Sequence, residues 1–395
     1  MSIATSFIGP DNRHLDSYSL SRGIDWPLLS VILVLMVVGL AMVESSSISV
    51  AAVRYSDPFF FLKRQLIAVC LGVGGAIFIV ARVSTKMMER TSMLVFLGTV
   101  VALALVLVPG IGVEVNGARR WIRLGVMNLQ VSELAKLSAA LYVAGYLIRH
   151  GERLRSNFDA FIKPVVLIGL MGFFCLMEPD YGSTVMIMAI AVGMIFLGGV
   201  RLSHFLVSVV LLVALAAFFI WTSEYRTNRI MNFFDPWANA YDGGFQLVQA
   251  LIAVGSGSIT GVGFGNSVQK LFYLPEAHTD FVFAVFAEEM GLIGVVLLVA
   301  TYLFLVYRIL KVALLAQSAG NGFGAFVAYG IAIWFALQSF ISMSVNLGLL
   351  PTKGLTLPMI SYGGSSMLAC CLALGVVMRV SLESRLSLPE TEDSL

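Results

Sequence analysis

The chain has 395 residues, 58% of them hydrophobic and only 12% charged, at a mean hydropathy of +0.91. Soluble domains carry roughly 25% charged residues, so a soluble core cannot absorb this much apolar surface, and one continuous helical membrane domain is the simpler account. The formal net charge of +2 gives no reason to expect nucleic acid or an acidic partner.

Residues 1–25 are polar and hold Asp11, Asp16 and Asp25, unlike the basic-then-apolar start of a cleaved signal peptide, and read as a cytoplasmic tail. Apolar runs then predict a polytopic all-α bundle of about ten transmembrane helices at 26–43, 66–80, 93–108, 134–147, 165–177, 185–199, 205–221, 281–306, 323–347 and 358–380. A membrane domain over 26–380 and a cytoplasmic tail over 381–395 follow. Cys70, Cys175, Cys370 and Cys371 all fall inside apolar runs without metal or disulfide spacing and read as buried, free thiols. With the N-terminus inside, the inner loops carry the larger share of Lys and Arg, among them Arg82, Lys86, Arg149, Lys163 and Arg201. This bias puts both termini in the cytoplasm. The exceptions on the outer side, Arg119, Arg120, Arg123 and Lys353 among them, ask for an anionic ligand.

Between the third and fourth spans, Asn116-Gly117 is a tight-turn signal, after which Arg119, Arg120 and Arg123 flank Trp121 at headgroup level. Interface anchoring is one reading. The planar guanidinium also suits bidentate contact with phosphate, so a diphosphate headgroup is a fitting ligand. Ser132 reads as a helix cap, and Glu133 with Lys136 as an i,i+3 pair inside the fourth span. Glu178-Pro179-Asp180 is a short acidic outer turn that either neutralises nearby arginines, holds a divalent cation or is simply solvated.

The longest stretch outside the spans, 222–280, contains an apolar piece at 245–259 too short to cross, with Gln246 and Gln249 one helical turn apart. The glycines that follow it match neither a dinucleotide-binding nor a P-loop pattern and read as a flexible loop. Leu274-Pro-Glu-Ala-His-Thr-Asp280 leads into the eighth span. There Thr279 or Asp280 either caps the helix or presents a carboxylate at a low-dielectric boundary, where a raised pKa suits a general base. Glu276 and His278 stand on the same motif. Glu288 and Glu289, roughly 12 Å deeper along the helix, must face protein and find a partner such as Lys or Arg, because an ionised carboxylate in lipid is costly. In the last outer loop and final span, Lys353, Pro351, Pro358, Ser361 and Gly363-Gly364 interrupt regular helix, a pattern tolerated only at a cavity wall.

At these motifs the sequence resembles the SEDS family (shape, elongation, division and sporulation proteins). The resemblance runs from before Trp26 to Val380, and its most specific pieces are NGARRWIRLG with LQVSELAK, MEPDYGST, LPEAHTDFVFAVFAEE and LGLLPTKGLTLPMISYGGSS. The TKGLTLP form favours the division branch over the elongation branch. What the resemblance implies is a ten-span fold in the bacterial inner membrane and peptidoglycan glycosyltransferase activity at the division septum. It further implies lipid II and a nascent glycan strand as ligands, and a class B penicillin-binding protein with other divisome membrane proteins as partners. It places the family's essential aspartate at Asp280 and its functional lysine at Lys353. Candidate substrate contacts are then Lys353, Arg119, Arg120, Arg123, His278, Glu276, Ser361 and Gln246, with Glu133, Lys136, Glu178, Asp180, Glu288 and Glu289 in support. No cofactor is expected with certainty, and a divalent cation stays open. Two rival functions also stand: a lipid II flippase using Glu288 and Glu289 as a relay, and a divisome scaffold without chemistry of its own.

Overall fold

In the computed structural model, which describes residues 23–388 apart from 116, 117, 126, 157, 223 and 353, the first span starts where the sequence supplies a cap. The Asp25 carboxylate accepts the Leu28 N–H at 3.0 Å, and Pro27 sits in the first turn, where its missing N–H costs nothing. Helix α1 (Trp26–Tyr55) runs well past the predicted end at residue 43. The extension carries Ser45, Ser46 and Ser47, which end the apolar run in the sequence yet are all buried. A polar stretch continues as helix here because protein rather than lipid lies against it.

Helices α2 (Phe60–Arg82) and α3 (Thr85–Val106) follow, and then the chain leaves the helical regime. Strands β1 (Gly112–Val115), β2 (Ala118–Leu124) and β3 (Met127–Gln130) form an antiparallel sheet in the order β1-β2-β3, with Trp121 opposite Val113 on one side and Gln130 on the other. The all-α expectation is corrected at this point. The strands are four to seven residues long, too short to register against the surrounding helical pattern, and their stability comes from cross-strand pairs that a linear reading does not display.

The remaining helices are α4 (Val131–Ser156), α5 (Phe158–Met177), α6 (Tyr181–Leu197), α7 (Leu202–Trp221), α8 (Glu224–Phe234), α9 (Phe245–Ser256), α10 (Val282–Ser318), α11 (Gly322–Asn346) and α12 (Gly364–Ser387). Among the described residues, seven helices are long and apolar enough to cross a membrane: α1, α2, α3, α4 over Val131–Gly151, α10, α11 and α12. Shorter apolar stretches lie at Phe161–Met177, Tyr181–Leu197 and Leu202–Leu215. The architecture is therefore a multi-pass helical one, and a count of ten requires those three shorter stretches to cross as well. The 222–280 segment carries α8 and α9 rather than unbroken loop. Of the cysteines, all free, Cys70 is exposed and the other three buried.

Helix α4 is the axis of the molecule: 89% of its central window is buried, against 22% for α2 and α3. It packs on α3, α6 and α11, while α12 lies along α2. The small side chains of Ala135, Ala139, Ala140 and Ala144 are fully buried and let neighbouring backbones approach closely. Within this axis Lys136 and Glu133 form the expected pair at 2.9 Å. The ammonium also donates to Gln338 Oε1 at 2.8 Å and stands 4.9 Å from the Trp334 ring centre. Desolvation of the pair is thus offset by a complete set of partners.

Helix α10 is broken at Gly291, whose φ of +63° is open to glycine at little cost. The backbone groups left unpaired by the break are taken up by the glycine-rich segment before it. Val262 and Gly263 donate to the carbonyls of Glu288 and Glu289 at 3.0 and 3.1 Å, and Leu292 and Ile293 donate to those of Ser258 and Ile259 at 2.9 and 3.1 Å. A Cβ at Gly291 would stand 2.3 Å from the Gly261 nitrogen, so side-chain-free residues are required on both sides of this contact. The flexible-loop expectation for these glycines gives way to a packed segment that completes a helix.

Candidate active site

The turn that carries Asp280 is built by Glu276, a non-glycine residue at φ +56°. Its carbonyl collects the N–H groups of Thr279, Asp280 and Phe281 at 3.1 to 3.3 Å, and its carboxylate accepts the Thr279 hydroxyl at 2.9 Å. Neither Thr279 nor Asp280 caps α10. The N-cap position belongs to Phe281, without a side-chain bond, and the free N–H of Ala284 is taken by Asn346 Oδ1 at 3.1 Å, from the end of α11. The same Asn346 donates from Nδ2 to the Asp280 carbonyl at 3.0 Å and to Ser342 O at 2.8 Å. Capping is therefore performed by another helix, and the Asp280 carboxylate is left without a hydrogen-bond donor among the described residues.

That carboxylate is half-buried. Burial pushes it up to about 7, with the Glu276 charge adding to the rise and Arg229 and Arg120 opposing it. It lies against the connection between α11 and α12: a Cβ at Gly354 would stand 2.9 Å from Asp280 Oδ2, so glycine there leaves one face of the carboxylate accessible. Arg229, on α8, donates to the Thr352 carbonyl at 3.3 Å. Lys353 lies outside the described residues, but its neighbours Thr352 and Gly354 both border this site. A cavity of about 730 Å³ opens beside it, lined by Arg229, Gln246, Pro275 and Thr352 among others.

The three arginines of β2 do not act together. Arg120 is the extra residue of a bulge, since Trp121 faces Val113 while Arg119 faces the next residue, Glu114. Arg120 turns to the α5–α6 connection and donates to the carbonyls of Glu178 and Pro179 at 2.9 and 2.8 Å. Arg119 pairs with Glu114 at 3.1 Å, and Arg123 is exposed.

Glu178 is fully buried, and neither carboxylate oxygen has a partner among the described residues. Burial, with Asp180 adding, pushes it up to about 8, which keeps it a neutral acid at pH 7. Asp180 accepts from Ser132 Oγ at 2.6 Å, Gln130 Nε2 at 2.9 Å and Ser183 N at 3.1 Å. Ser132 is thereby a partner of the acidic turn and not the cap expected of it; α4 instead continues directly from β3. Among the described residues no group of three or more His, Cys, Asp or Glu side chains is placed to hold a metal ion.

His278 is buried between Phe61 and Tyr362, at ring distances of 4.4 and 5.6 Å. Burial holds its imidazole below the usual range. Ser361 is buried as well and accepts the Leu357 N–H at 2.8 Å, closing the turn before α12. Glu288 and Glu289 each find partners in the glycine-rich segment. Glu289 meets Lys270 at 2.7 Å and Ser45 of α1 at 2.6 Å, while Glu288 accepts from Ser267 Oγ and, at 3.0 Å, from Val268 N. The charged partner comes from the loop, and a neighbouring span, α1, adds only the Ser45 hydroxyl. Residues 280 to 289 thus form one rigid piece with the carboxylate at its outer end.

The profile of the FtsW/RodA/SpoVE cell cycle protein family matches residues 26–386. The chain belongs to this family. It is 48% identical over 365 residues to a protein of Thioalkalivibrio sulfidiphilus named "Probable peptidoglycan glycosyltransferase FtsW", covering 92% of this chain and 91% of that one. A Methylococcus capsulatus protein of the same name is 48% identical, with 91% and 90% covered. Among solved structures, a chain from a study of polymerization and crosslinking coordinated by a peptidoglycan synthase complex superposes with a TM-score of 0.74 at 29% identity, covering 91% of this chain and 98% of that one. The rod shape determining protein RodA of Thermus thermophilus gives 0.67 at 29% identity, with 91% and 96% covered. Both likenesses extend over the whole membrane region, so the resemblance seen in the motifs is a resemblance of the complete fold.

Asn346, Arg229 and Gly354 are the site residues that motif reading passes over. Each acts through a neighbour's backbone or by lacking a side chain, and such roles leave no charge or spacing signature. The only available signal is that Asn346 is the last residue of α11, where a polar side chain can reach the start of a neighbouring helix.

Proposed function

We propose that this chain is a septal peptidoglycan glycosyltransferase, which polymerises lipid II into glycan strands at the periplasmic face of the bacterial inner membrane. The observation that carries the reading is the Asp280 carboxylate: released from helix capping, accessible beside Gly354 and poised near neutral pH. In this mechanism Asp280 takes the proton from the 4-hydroxyl of the incoming lipid II sugar as that oxygen attacks the anomeric carbon of the lipid-linked donor chain. The glycosidic bond forms with inversion, the bond to phosphate breaks, and undecaprenyl diphosphate leaves with both electrons of that bond. A transition state of oxocarbenium character, by analogy with glycoside hydrolysis, places growing negative charge on the diphosphate, which Arg120, Arg229 and Lys353 would meet.

In the bilayer, α1 to α7 and α10 to α12 make ten spans with both termini cytoplasmic, so that the β-sheet, α8, α9 and the Asp280 turn share the outer face. Burial favours the neutral form of Glu178, and Arg120 meets the Glu178 and Pro179 carbonyls rather than a carboxylate. Gln246, Glu276 and the outward Arg119 and Arg123 border the approach to the site, and a class B penicillin-binding protein and further divisome membrane proteins are the expected partners.

Purified protein reconstituted with lipid II on the outer face alone tests the reading, since a polymerase needs no transbilayer movement. Glycan chains from wild-type protein, and a loss of 10²–10⁴-fold in Asp280→Asn, are expected. Undiminished polymerisation by a folded Asp280→Asn protein would remove Asp280 from the role of base. Lipid translocation without chains would favour the flippase.

A further inference from the structure

A second cavity, of about 630 Å³, lies far from Asp280, between α3, α4 and α5. Its position follows from α4 itself: Val131 adjoins the sheet, and Arg149 is eighteen residues further on, roughly 27 Å along the helix axis at 1.5 Å per residue. The groove is therefore at the opposite end of the membrane slab from the candidate active site.

Its walls are apolar over most of their extent, with Met93 from α3, Tyr146 from α4, and Val166 and Leu167 from α5. The floor is aromatic and lies on α4: Tyr142, backed by Phe96 of α3 at 4.4 Å, and Tyr146, which stacks on His150 at 4.4 Å with 19° between ring planes. At one end stand two cations from different helices, Arg149 and Lys163. The arginine is folded along the groove, since a Cβ at Gly145 would stand 3.3 Å from both of its terminal nitrogens. Among the described residues no carboxylate lies within ion-pair distance of Arg149 or Lys163. Val166 is 60% exposed, so the groove opens sideways toward the surrounding lipid.

We infer that this groove binds an anionic phospholipid of the inner leaflet, its acyl chain laid on the aromatic floor and its phosphate held between Arg149 and Lys163. The occupant follows from the pairing of an apolar trough with two cations at its rim that meet no carboxylate among the described residues. A soluble anion would leave the trough unused, and an acyl chain alone would leave the cations without a counter-charge. This site is separate from the proposed glycosyl transfer and does not depend on it.

Spin-labelled phosphatidylglycerol and phosphatidylcholine, compared in vesicles holding the full-length protein, test the proposal. Wild-type protein should associate with the phosphatidylglycerol label more strongly than with phosphatidylcholine. Arg149→Gln with Lys163→Gln should reduce that preference by roughly five-fold per cation. Arg149→Lys with Lys163→Arg should retain it. Lys86→Gln with Arg201→Gln removes the same charge outside the groove and should lower the preference less than the groove pair does. The proposal is overturned by a wild-type protein without preference, by a groove pair that changes nothing, or by a control pair that lowers it as much.

Discussion

Asn346 holds Asp280 by its main chain and thereby frees its side chain: the amide donates to the Asp280 carbonyl at 3.0 Å while its oxygen accepts the Ala284 N–H at 3.1 Å. Replacing Asn346 with Ala unseats a buried cap and leaves the Asp280 carbonyl without its partner, while the Ala284 N–H keeps only its bond to the Phe281 carbonyl, at about 1–3 kcal/mol. Asp280 can then fall back into the capping position. Polymer formation should drop by about 10²-fold, the scale of a misplaced catalytic group, and thermal unfolding in detergent should begin earlier. An Asn346→Ala protein of full activity would show that the cap is not what positions the carboxylate.

The state of Asp280 sets a pH dependence. Its folded-state value is raised to about 7 from an ordinary 3.8, so the basic form accumulates only as pH rises, and the polymerisation rate should climb and level off above about 7. Stability runs the other way. The folded protein keeps a proton that the unfolded chain releases at lower pH, so this group's contribution is complete below 3.8 and is lost as pH passes through about 7. Asp280→Asn should accordingly abolish activity yet raise the unfolding temperature at pH 8 relative to wild type. A lower unfolding temperature for that variant would contradict the burial account of the raised value.

Glu276 contributes to that rise through its charge. Glu276→Gln keeps an oxygen for the Thr279 hydroxyl but removes the repulsion, so the midpoint of the pH–rate curve should move to lower pH. Rate measurements at intervals across pH 5 to 9 resolve the direction. A shift to higher pH would mean that Glu276 acts on Asp280 chiefly through the turn geometry.

Lys270 and Glu289 are both buried and lie 2.7 Å apart. Lys270→Met leaves a carboxylate without its counter-ion and should destabilise by about 3–5 kcal/mol. Adding Glu289→Leu should recover most of that loss, giving strong coupling in a double-mutant cycle read by thermal unfolding. Additive losses would argue that the pair is held by its hydrogen bonds to Ser45 and Gly265 rather than by charge.

Hydropathy makes most of the spans legible, because twenty apolar residues have few other soluble or membrane fates, and Asp280 is legible because a carboxylate at a helix mouth is chemically conspicuous. The Glu133–Lys136 pair appears for the same reason of spacing. The sheet between α3 and α4 does not, since strands this short depend on partners across a turn. Splitting of Arg120 from Arg119 and Arg123 follows only once the bulge in β2 and the α5–α6 connection that receives Arg120 are known. The end of α1 lies beyond its apolar run because Ser45 bonds Lys270, more than two hundred residues away in the chain, while Ser46 and Ser47 are buried against protein. Ser132 could be read as a cap only while Asp180, its real partner, was distant in sequence.

The break in α10 has consequences for assembly and for control. A helix whose main-chain bonding across Gly291 is supplied by residues 258–263 cannot reach its final state in lipid by inserting alone, so the earlier-synthesised hairpin has to be in place as the later span docks. The completed joint also divides α10 into a short head, with Asp280 just before its first turn, and a long shaft, with the glycine segment as the coupling between them. A force that pries this coupling loose would leave backbone polar groups without partners and release the head from the shaft. The Asp280 turn thus has a mechanical handle of its own, one that can be pulled without touching the carboxylate.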